Sequence, residues 1–295
     1  MNTHRQRGIA LVMVLWITIL VTITTGAYAL MARVDQLEAN ALLSGTQARM
    51  IAEAGIHLTA VLLRNQDEMT RLIADGRSYE QEIDGVLLEI RVTDERGKLD
   101  INSAEELTLL TLFTNNGVEL EQAELLAAAV LDWRDIDELE RVNGAEFEAY
   151  AAAGLPVGPG NRPFMMNAEL LQVIGMSFDL YRRIEPGITV FSKSAMPNIA
   201  FAPVEALLAI PDINLDDAVS FVQERQLMEP GETQSVVLAD GQVAMAQGRG
   251  LTYSIQSKAT MPNGVWEQLD TTIRLGGSRD GMPFRIMRWR EGFYH

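Results

Sequence analysis

The chain has 295 residues, of which 47% are hydrophobic, and its 40 Asp and Glu residues against 24 Lys and Arg residues give a net charge of −16. This charge opposes binding to nucleic acid, and the few basic residues form no stripe. The chain lacks cysteine, which excludes disulfides and thiolate chemistry, and its only histidines are His4, His57 and His295. Composition therefore favours a non-enzymatic protein that does not bind nucleic acid.

The amino-terminal stretch RQRGIALVMVLW changes from charged to apolar at Gly8. No charged residue occurs from Gly8 to Ala32, and these 25 residues are enough to cross a bilayer as a helix. The basic residues before Gly8 predict a cytoplasmic amino terminus. A cleaved secretory signal is the alternative, because Ala27-Tyr28-Ala29 is a small-x-small site, but the apolar run exceeds the roughly 7 to 15 residues of a signal sequence.

The helical pattern continues beyond this apolar run. Apolar and small residues recur at three- and four-residue steps from Val34 to Leu62, and no proline precedes Pro156. The pattern predicts one helix over 9–63, with 9–32 in the membrane and an amphipathic stripe that packs on another element. An ordinary membrane anchor followed by a coil is the alternative.

A predicted hairpin follows the helix. The segment SYEQEIDGVLLEIRVTDERGKLD alternates polar and apolar residues around Asp84-Gly85, a dipeptide that favours a tight turn between two strands.

The next segment has a helical period. Ser103 and Glu106 have the spacing of a capping box, and helices are predicted in GVELEQAELLAAAVLDWRD, NAELLQVIGM, FDLYRRI and LDDAVSFVQERQ. We expect the acidic group Asp212, Asp216 and Asp217 to cap the last of these helices.

Two runs in this region resemble helix-hairpin-helix units. The first is INSAEELTLLTLFTNNGVELEQAELLAAAVLDWRD, and PNIAFAPVEALLAIPDINLDDAVSFVQER looks like a diverged copy. Such hairpins bind phosphate through a glycine-rich turn with basic residues close by, whereas the turn FTNNGVELE has acidic neighbours. We interpret both units as scaffold. The alternative is a membrane-anchored calcium- or DNA-binding module.

One stretch, DWRDIDELERVNGAEFE, has the composition of a ligand site. Its crowded carboxylates are Asp132, Asp135, Asp137 and Glu146. Glu146 would be position twelve of a calcium loop that begins at Asp135, but Leu139 and Glu140 depart from the pattern. The residues alone leave a metal site and a solvated acidic helix end both open, and Asp132 could instead be a helix cap or an ion-pair partner.

The carboxyl-terminal region is predicted to contain strands. LTYSIQSKATM and VWEQLDTTIRL are joined by Pro262-Asn263-Gly264, which favours a turn, and PFRIMRWRE is a third candidate strand.

A short basic leader that ends in glycine and runs directly into a long apolar helix resembles the class III leader of type IV pilins and pseudopilins. This resemblance implies that a prepilin peptidase cuts after Gly8 and methylates Ile9. Most of these proteins carry glutamate at the fifth residue after the cut, where this chain has Met13.

The segments DERGKLDINSAEEL, LAAAVLDWRDIDELERVNGAEFEAY, NRPFMMNAELLQVIGM and SAMPNIAFAPVEALLAI resemble, in order and spacing, the K-type minor pseudopilins of the type II secretion system. That subfamily lacks the glutamate. The resemblance implies a role at the pseudopilus tip with I- and J-type minor pseudopilins, in protein export across the outer membrane. It also implies a single-pass protein of the inner membrane with a periplasmic body. The implied calcium ligands are Asp132, Asp135, Asp137 and Glu146.

The predicted fold is α+β and pilin-like, with a long helix packed on an antiparallel sheet and an inserted, mostly helical domain. The predicted segments are a leader (1–8), the helix (9–63), strands (64–98), a helical insert with two hairpin-like units (99–229) and carboxyl-terminal strands (230–295).

Overall fold

The computed structural model describes residues 7–65, 67, 70–228, 235–237, 243–245, 248–276 and 283–291. Most of the predicted leader, residues 1–6, therefore lies outside the described residues. The limits of the five predicted segments stay a prediction.

The chain begins with helix α1 (Arg7–Leu63), whose 57 residues correspond to about 85 Å. Its continuity confirms the uninterrupted helix expected from the sequence. Among the described residues, it is the one helix long and apolar enough to cross a membrane, and its most apolar window is not buried.

The second half of α1 packs on the sheet through a stripe that is shorter than the predicted one. Ala48, Ala52, Ile56 and Ala60 follow one another at four-residue steps and are buried. Val34, near the start of the predicted stripe, is 60% exposed. The prediction was wrong for this part because the sheet reaches only the last turns of the helix.

Five antiparallel strands form the main sheet in the order β1-β2-β7-β8-β9. They are β1 (Asp75–Ile83), β2 (Val86–Asp94), β7 (Thr252–Thr260), β8 (Trp266–Leu275) and β9 (Phe284–Glu291). The predicted turn between β1 and β2 is confirmed, because Asp84 and Gly85 both have positive φ, 52° and 80°, and Ile83 pairs with Val86. The strands predicted on both sides of Pro262-Asn263-Gly264 are confirmed as β7 and β8.

The inner face of the sheet packs on α1. Alternate residues of β2, such as Leu88 and Val92, join Ile255 of β7 in the core beneath the helix. The helix approaches most closely at Gly55, where an added Cβ would lie 2.5 Å from Ser257 Oγ and 3.1 Å from Leu88 Cδ1. This close approach requires a residue without a side chain.

A mostly helical block occupies the chain between β2 and β7. Its elements are β3 (Leu99–Asp100), α2 (Glu106–Asn115), α3 (Leu120–Arg134), α4 (Phe147–Ala152), α5 (Phe178–Ile184), β4 (Ile188–Thr189), α6 (Val204–Leu207) and α7 (Leu215–Leu227). β3 and β4 pair in parallel, and the two short strands β5 (Ser235–Val237) and β6 (Val243–Met245) form a separate antiparallel pair. The block has its own core, built around residues such as Leu112, Phe113 and Ile184.

One local prediction in the helical block was wrong and another was right in part. Ser103 does not cap α2, since the backbone N–H groups of Ser103 and Ala104 bond to Asp100 in a preceding turn and the helix begins at Glu106. Asp216 and Asp217 lie in the first turn of α7, where their charges favour the helix dipole, but the side chain that caps the helix is Asn214, which accepts from the Asp217 N–H.

NAELLQVIGM forms a 3₁₀ helix over Asn167–Gln172 and not an α-helix. FDLYRRI and LDDAVSFVQERQ form α5 and α7, as predicted.

The helical block meets the outer face of the sheet through buried charges. Glu95 is 2% exposed and pairs with Lys98, whose Nζ lies 2.9 Å from Glu95 Oε1. Ser254 on β7 and Thr189 on β4 donate hydrogen bonds to the same carboxylate. Burial alone would raise the pKa of Glu95, but these partners hold it below its ordinary value.

A second polar contact joins β1 to α7. Arg225 is 5% exposed, donates from Nη1 to the Ile199 carbonyl at 2.7 Å and lies with Nε 3.7 Å from Asp75 Oδ2. Arg77 donates to both oxygens of the same carboxylate and to the Arg225 carbonyl. The sheet and the helical block are therefore linked by paired charges, which are costly to separate once buried.

The packing of α1 predicts that alanine substitutions at two of its glycines will have different effects on stability. Gly55→Ala should lower the free energy of unfolding by about 1–3 kcal/mol, because the new methyl group overlaps Ser257 and Leu88. Gly45→Ala is the control, since the nearest atom to its Cβ is Glu267 Oε1 at 3.7 Å and alanine favours helix. Chemical denaturation of the full chain in detergent measures both, and equal effects would contradict the account.

Asp94 predicts a pH dependence of stability. Its buried side chain accepts from the N–H groups of Arg96 and Gly250, and burial raises its pKa to about 6. Because the folded pKa exceeds the unfolded value, the folded state binds the proton more tightly and gains stability as the pH falls from 7 to 4. The difference in free energy of unfolding between wild type and Asp94→Asn should shift in favour of wild type by up to about 3 kcal/mol over this range. A difference that does not change with pH would contradict it.

Candidate functional site

The acidic stretch forms the end of α3, a loop and the start of α4. Asp132 lies in the last turn of α3, Asp135 is the residue that ends it, and Glu146 is the residue before α4. The loop turns back at Asn143, which has a φ of 66°, and Gly144. The predicted ligands therefore lie at the two ends and inside one loop.

Asp132 holds this loop closed. Its side chain is fully buried, and Oδ2 accepts from the backbone N–H groups of Arg141 at 3.3 Å and Ala145 at 2.9 Å. A Cβ at Gly144 would collide with the same oxygen, so the closure requires glycine there. Burial raises the pKa of Asp132. Asp132 also forms an ion pair, with Oδ1 3.1 Å from Arg141 Nε.

Arg141 bridges two of the predicted ligands. Besides Asp132, its guanidinium contacts Asp135, with Nη2 2.9 Å from Oδ2. The arginine side chain is 46% exposed, so it covers the carboxylates from the solvent side. Sequence reasoning missed this role, since an arginine six residues after Asp135 carries no motif.

Glu146 is the least satisfied carboxylate of the site. It is 6% exposed, and neither of its oxygens has a hydrogen-bond partner among the described residues. Burial raises its pKa to about 7, and repulsion from Asp132, Asp135 and Asp137 adds to the effect. The loop thus brings the four predicted ligands close enough to repel one another.

Two other buried acceptors in this part of the helical block also lack donors. Asp135 Oδ1 and Asn161 Oδ1 have no hydrogen-bond partner in the part of the chain that the structure describes. Asn161 was not among the predicted site residues. Its backbone has a positive φ of 44°, which the sequence does not indicate. Asp137 is more exposed, and its Oδ1 accepts from the Leu139 N–H. Within the described ranges, no three acidic or histidine side chains form a complete metal-binding group.

Aromatic residues form the apolar wall behind the cluster. Trp133 stacks on Phe164, with ring centres 6.1 Å apart, and lies 6.0 Å from Tyr150. Gly160 packs on the indole, where a Cβ would lie 3.0 Å from Nε1. This packing keeps the 158–164 segment, which includes Asn161, against the acidic loop.

The predicted processing residues lie at the exposed start of α1. Gly8 lies in the first turn of the helix, and Ile9 and Met13 are 68% and 65% exposed. Met13 is uncharged and cannot form the ion pair that a carboxylate would form at this position. The start of the helix carries no charged side chain between Gly8 and Arg33.

The helix-hairpin-helix-like units form two helix pairs, α2–α3 and α6–α7. The first turns at Gly117, with a φ of 82°, and acidic Glu119 and Glu121 flank it. Asn115 joins the pairs by donating to the carbonyls of Leu208 and Ile213.

Several known proteins that are similar to this chain belong to the same family. The family model described as "Type II secretion system (T2SS), protein K" matches residues 88–193. Type II secretion system protein K of Pectobacterium carotovorum subsp. carotovorum is 30% identical over 253 residues, which is 76% of this chain and 76% of that protein. The protein of the same name from Klebsiella pneumoniae is 32% identical over 65% of each chain.

A solved structure also has this fold. It is the crystal structure of the GspK-GspI-GspJ complex from the enterotoxigenic Escherichia coli type 2 secretion system, and one of its chains is similar with a TM-score of 0.59 and 17% identity. The match covers 89% of this chain and 99% of that chain. The pilin-like α+β fold and the resemblance to K-type minor pseudopilins are therefore confirmed, and the chain belongs to the type II secretion system protein K family.

Proposed function

We propose that this chain is the minor pseudopilin that caps or initiates the pseudopilus tip, together with I- and J-type minor pseudopilins, for protein export across the outer membrane. Membership of the family makes it a structural component of the type II secretion system. The observation that carries the tip position is that α1 has an exposed, uncharged segment near its start, at residues 9–32, while the helical block covers the outer face of the sheet.

Two physical arguments support a terminal position. A pilin subunit without a carboxylate near its amino terminus, as at Met13, offers no charge partner to the amino group of a neighbouring subunit. The helical block, from β3 to α7, adds six α-helices and two short strands to one side of the sheet. Its bulk would obstruct the addition of another subunit on that side. The similarity to a chain that was crystallised with GspI and GspJ supports those partners.

The proposed topology follows from α1. The uncharged residues 8–32 would cross the inner membrane once, with Arg5 and Arg7 in the cytoplasm and the sheet and helical block in the periplasm. Prepilin peptidase would cut after Gly8 and methylate Ile9, so that the apolar helix is both the membrane anchor and a packing rod.

The tip position predicts where the protein lies in an assembled fibre. In pseudopili grown from cells that overproduce the major pseudopilin, immunogold labelling of a tag inserted after residue 264 should mark one fibre end and co-localise with the I- and J-type subunits. Gly264 lies in the exposed β7–β8 turn, so the tag should not disturb the sheet. Labelling along the whole fibre, or tip labelling without the other two subunits, would contradict the proposal.

We also propose that the acidic loop binds calcium. The support for this proposal is that Asp135 and Glu146 have buried oxygens without donors, and oxygen atoms are the ligands that a hard cation prefers. The ion would be held by Asp132, Asp135, Asp137 and Glu146. When bound, it would neutralise the repulsion that raises the pKa of Glu146.

Arg141 supplies the positive charge at the same carboxylates in this structure. Calcium would therefore compete with a guanidinium for Asp132 Oδ1 and Asp135 Oδ2. An ion pair of this exposure contributes on the order of 1 kcal/mol, so Arg141→Gln should bind calcium about fivefold more tightly.

The calcium site predicts a stability change that depends on one carboxylate. Calcium at 100-fold above its Kd should raise the Tm of the full chain by about 5 °C relative to chelator. Glu146→Gln should abolish this rise, while Glu148→Gln, which alters an exposed residue of the same helix, should retain it. Thermal unfolding by circular dichroism measures the shift. An identical Tm with calcium and with chelator would show that the site does not bind calcium.

A further inference from the structure

A large cleft lies between the outer face of the sheet and the helical block. Its volume is about 950 Å³, which is within the range of ligand sites. One wall is formed by β2, β7, β8 and β9, and the other by α5 and the segments that follow it. It is remote in the chain from the acidic loop, and none of the proposed calcium ligands lines it.

The cleft is positively charged although the protein is acidic. Its charged lining residues are Arg91, Lys98, Arg182, Arg288, Arg290, Glu95, Glu185 and Asp270. Five cations therefore face three carboxylates, in a chain with a net charge of −16. The local excess of positive charge favours an anionic ligand.

Part of this charge is already neutralised within the protein. Glu95 is fully engaged by Lys98, Ser254 and Thr189, so that pair contributes no net charge to the cleft. The excess therefore lies on the four arginines of the lining, which face Glu185 and Asp270.

Arg288 has an incomplete set of hydrogen-bond partners. It stands two residues before Arg290 on β9, so both side chains point to the same face of the sheet. Glu185 lies 4.0 Å from Arg288 Nη1 and 3.5 Å from Arg290 Nη1. The buried Arg288 Nε has no hydrogen-bond partner among the described residues. This N–H group is therefore available to an acceptor from a ligand.

The electrostatics at Arg288 agree with this geometry. Burial lowers its pKa, and repulsion from Arg290 lowers it further, despite the nearby carboxylates. An additional anion at this point would relieve both effects. Guanidinium groups in pairs are suited to planar or tetrahedral oxyanions, which accept two N–H bonds at once.

We propose that this cleft binds an oxyanion, a carboxylate or phosphate group, between Arg288 and Arg290 on the sheet and Arg182 on α5. The aromatic rings of Phe178 and Tyr181 on the same wall would contact the body of the ligand that carries the anion. The cleft is then a ligand site separate from the proposed calcium loop.

The test is isothermal titration of the full chain in detergent with inorganic phosphate and, separately, with succinate, at constant ionic strength and without calcium. We expect saturable binding of at least one anion and at least tenfold weaker binding by Arg288→Gln. Arg274→Gln is the matched control, because this exposed arginine of β8 does not line the cleft and its loss should leave the affinity unchanged. The relative affinity for the two anions distinguishes a phosphate ligand from a carboxylate ligand.

Arg182→Gln provides a second variant on the other wall, where an exposed side chain can be changed without disturbing the sheet. It should also weaken binding. Equal affinity of Arg288→Gln, Arg182→Gln and Arg274→Gln would overturn the proposal, as would the absence of saturable binding of both anions to the wild-type chain.

Discussion

The structure depends on one five-stranded sheet that is covered on both faces by different kinds of contact. On the inner face, α1 approaches so closely at Gly55 that only small and apolar residues fit between them. On the outer face, the helical block is attached through buried charges, of which Glu95 with Lys98 and Asp75 with Arg225 are the clearest. The inner contact is favourable through apolar burial, whereas the outer contact specifies one orientation because each buried charge must meet its partner.

This arrangement determines which surfaces remain for assembly. The sheet covers α1 only from about Ala48 onwards, so its apolar first half is left for the membrane and for neighbouring helices. The outer face, which is covered by the helical block, retains the arginine-lined cleft. The acidic loop lies in the helical block beside Trp133, where a bound cation would stabilise the block without touching the sheet. This arrangement is compatible with the proposed position at the end of a fibre, where the rod would join the neighbouring subunits.

The sequence predicted the features that depend on local chemistry. The turn at Asp84-Gly85, the strands around Pro262-Asn263-Gly264 and the unbroken α1 follow from turn residues, alternation and the lack of proline. The capping prediction was wrong because neighbouring polar groups compete for the same hydrogen-bonding positions. The backbone N–H of Ser103 bonds to Asp100 in a turn ahead of α2, so the capping-box start is displaced.

The sequence predicted which carboxylates form the candidate calcium site but not which contacts they make. Four carboxylates close in sequence were visible, but the position of Arg141 between Asp132 and Asp135 depends on how the loop folds back at Gly144. Asn161 and the cleft arginines come from distant segments that meet only through tertiary packing. Such juxtapositions leave no periodic signal in a single sequence.

The central claim is that this chain is a pseudopilin whose apolar helix is cut and retained. The most direct measurement is the mass of its mature amino terminus, isolated from cells with and without prepilin peptidase. The account predicts a chain that begins with methylated Ile9 in the first case and an unprocessed chain in the second. Retention of residues 1–8 when the peptidase is present, or cleavage after Ala29, would contradict it.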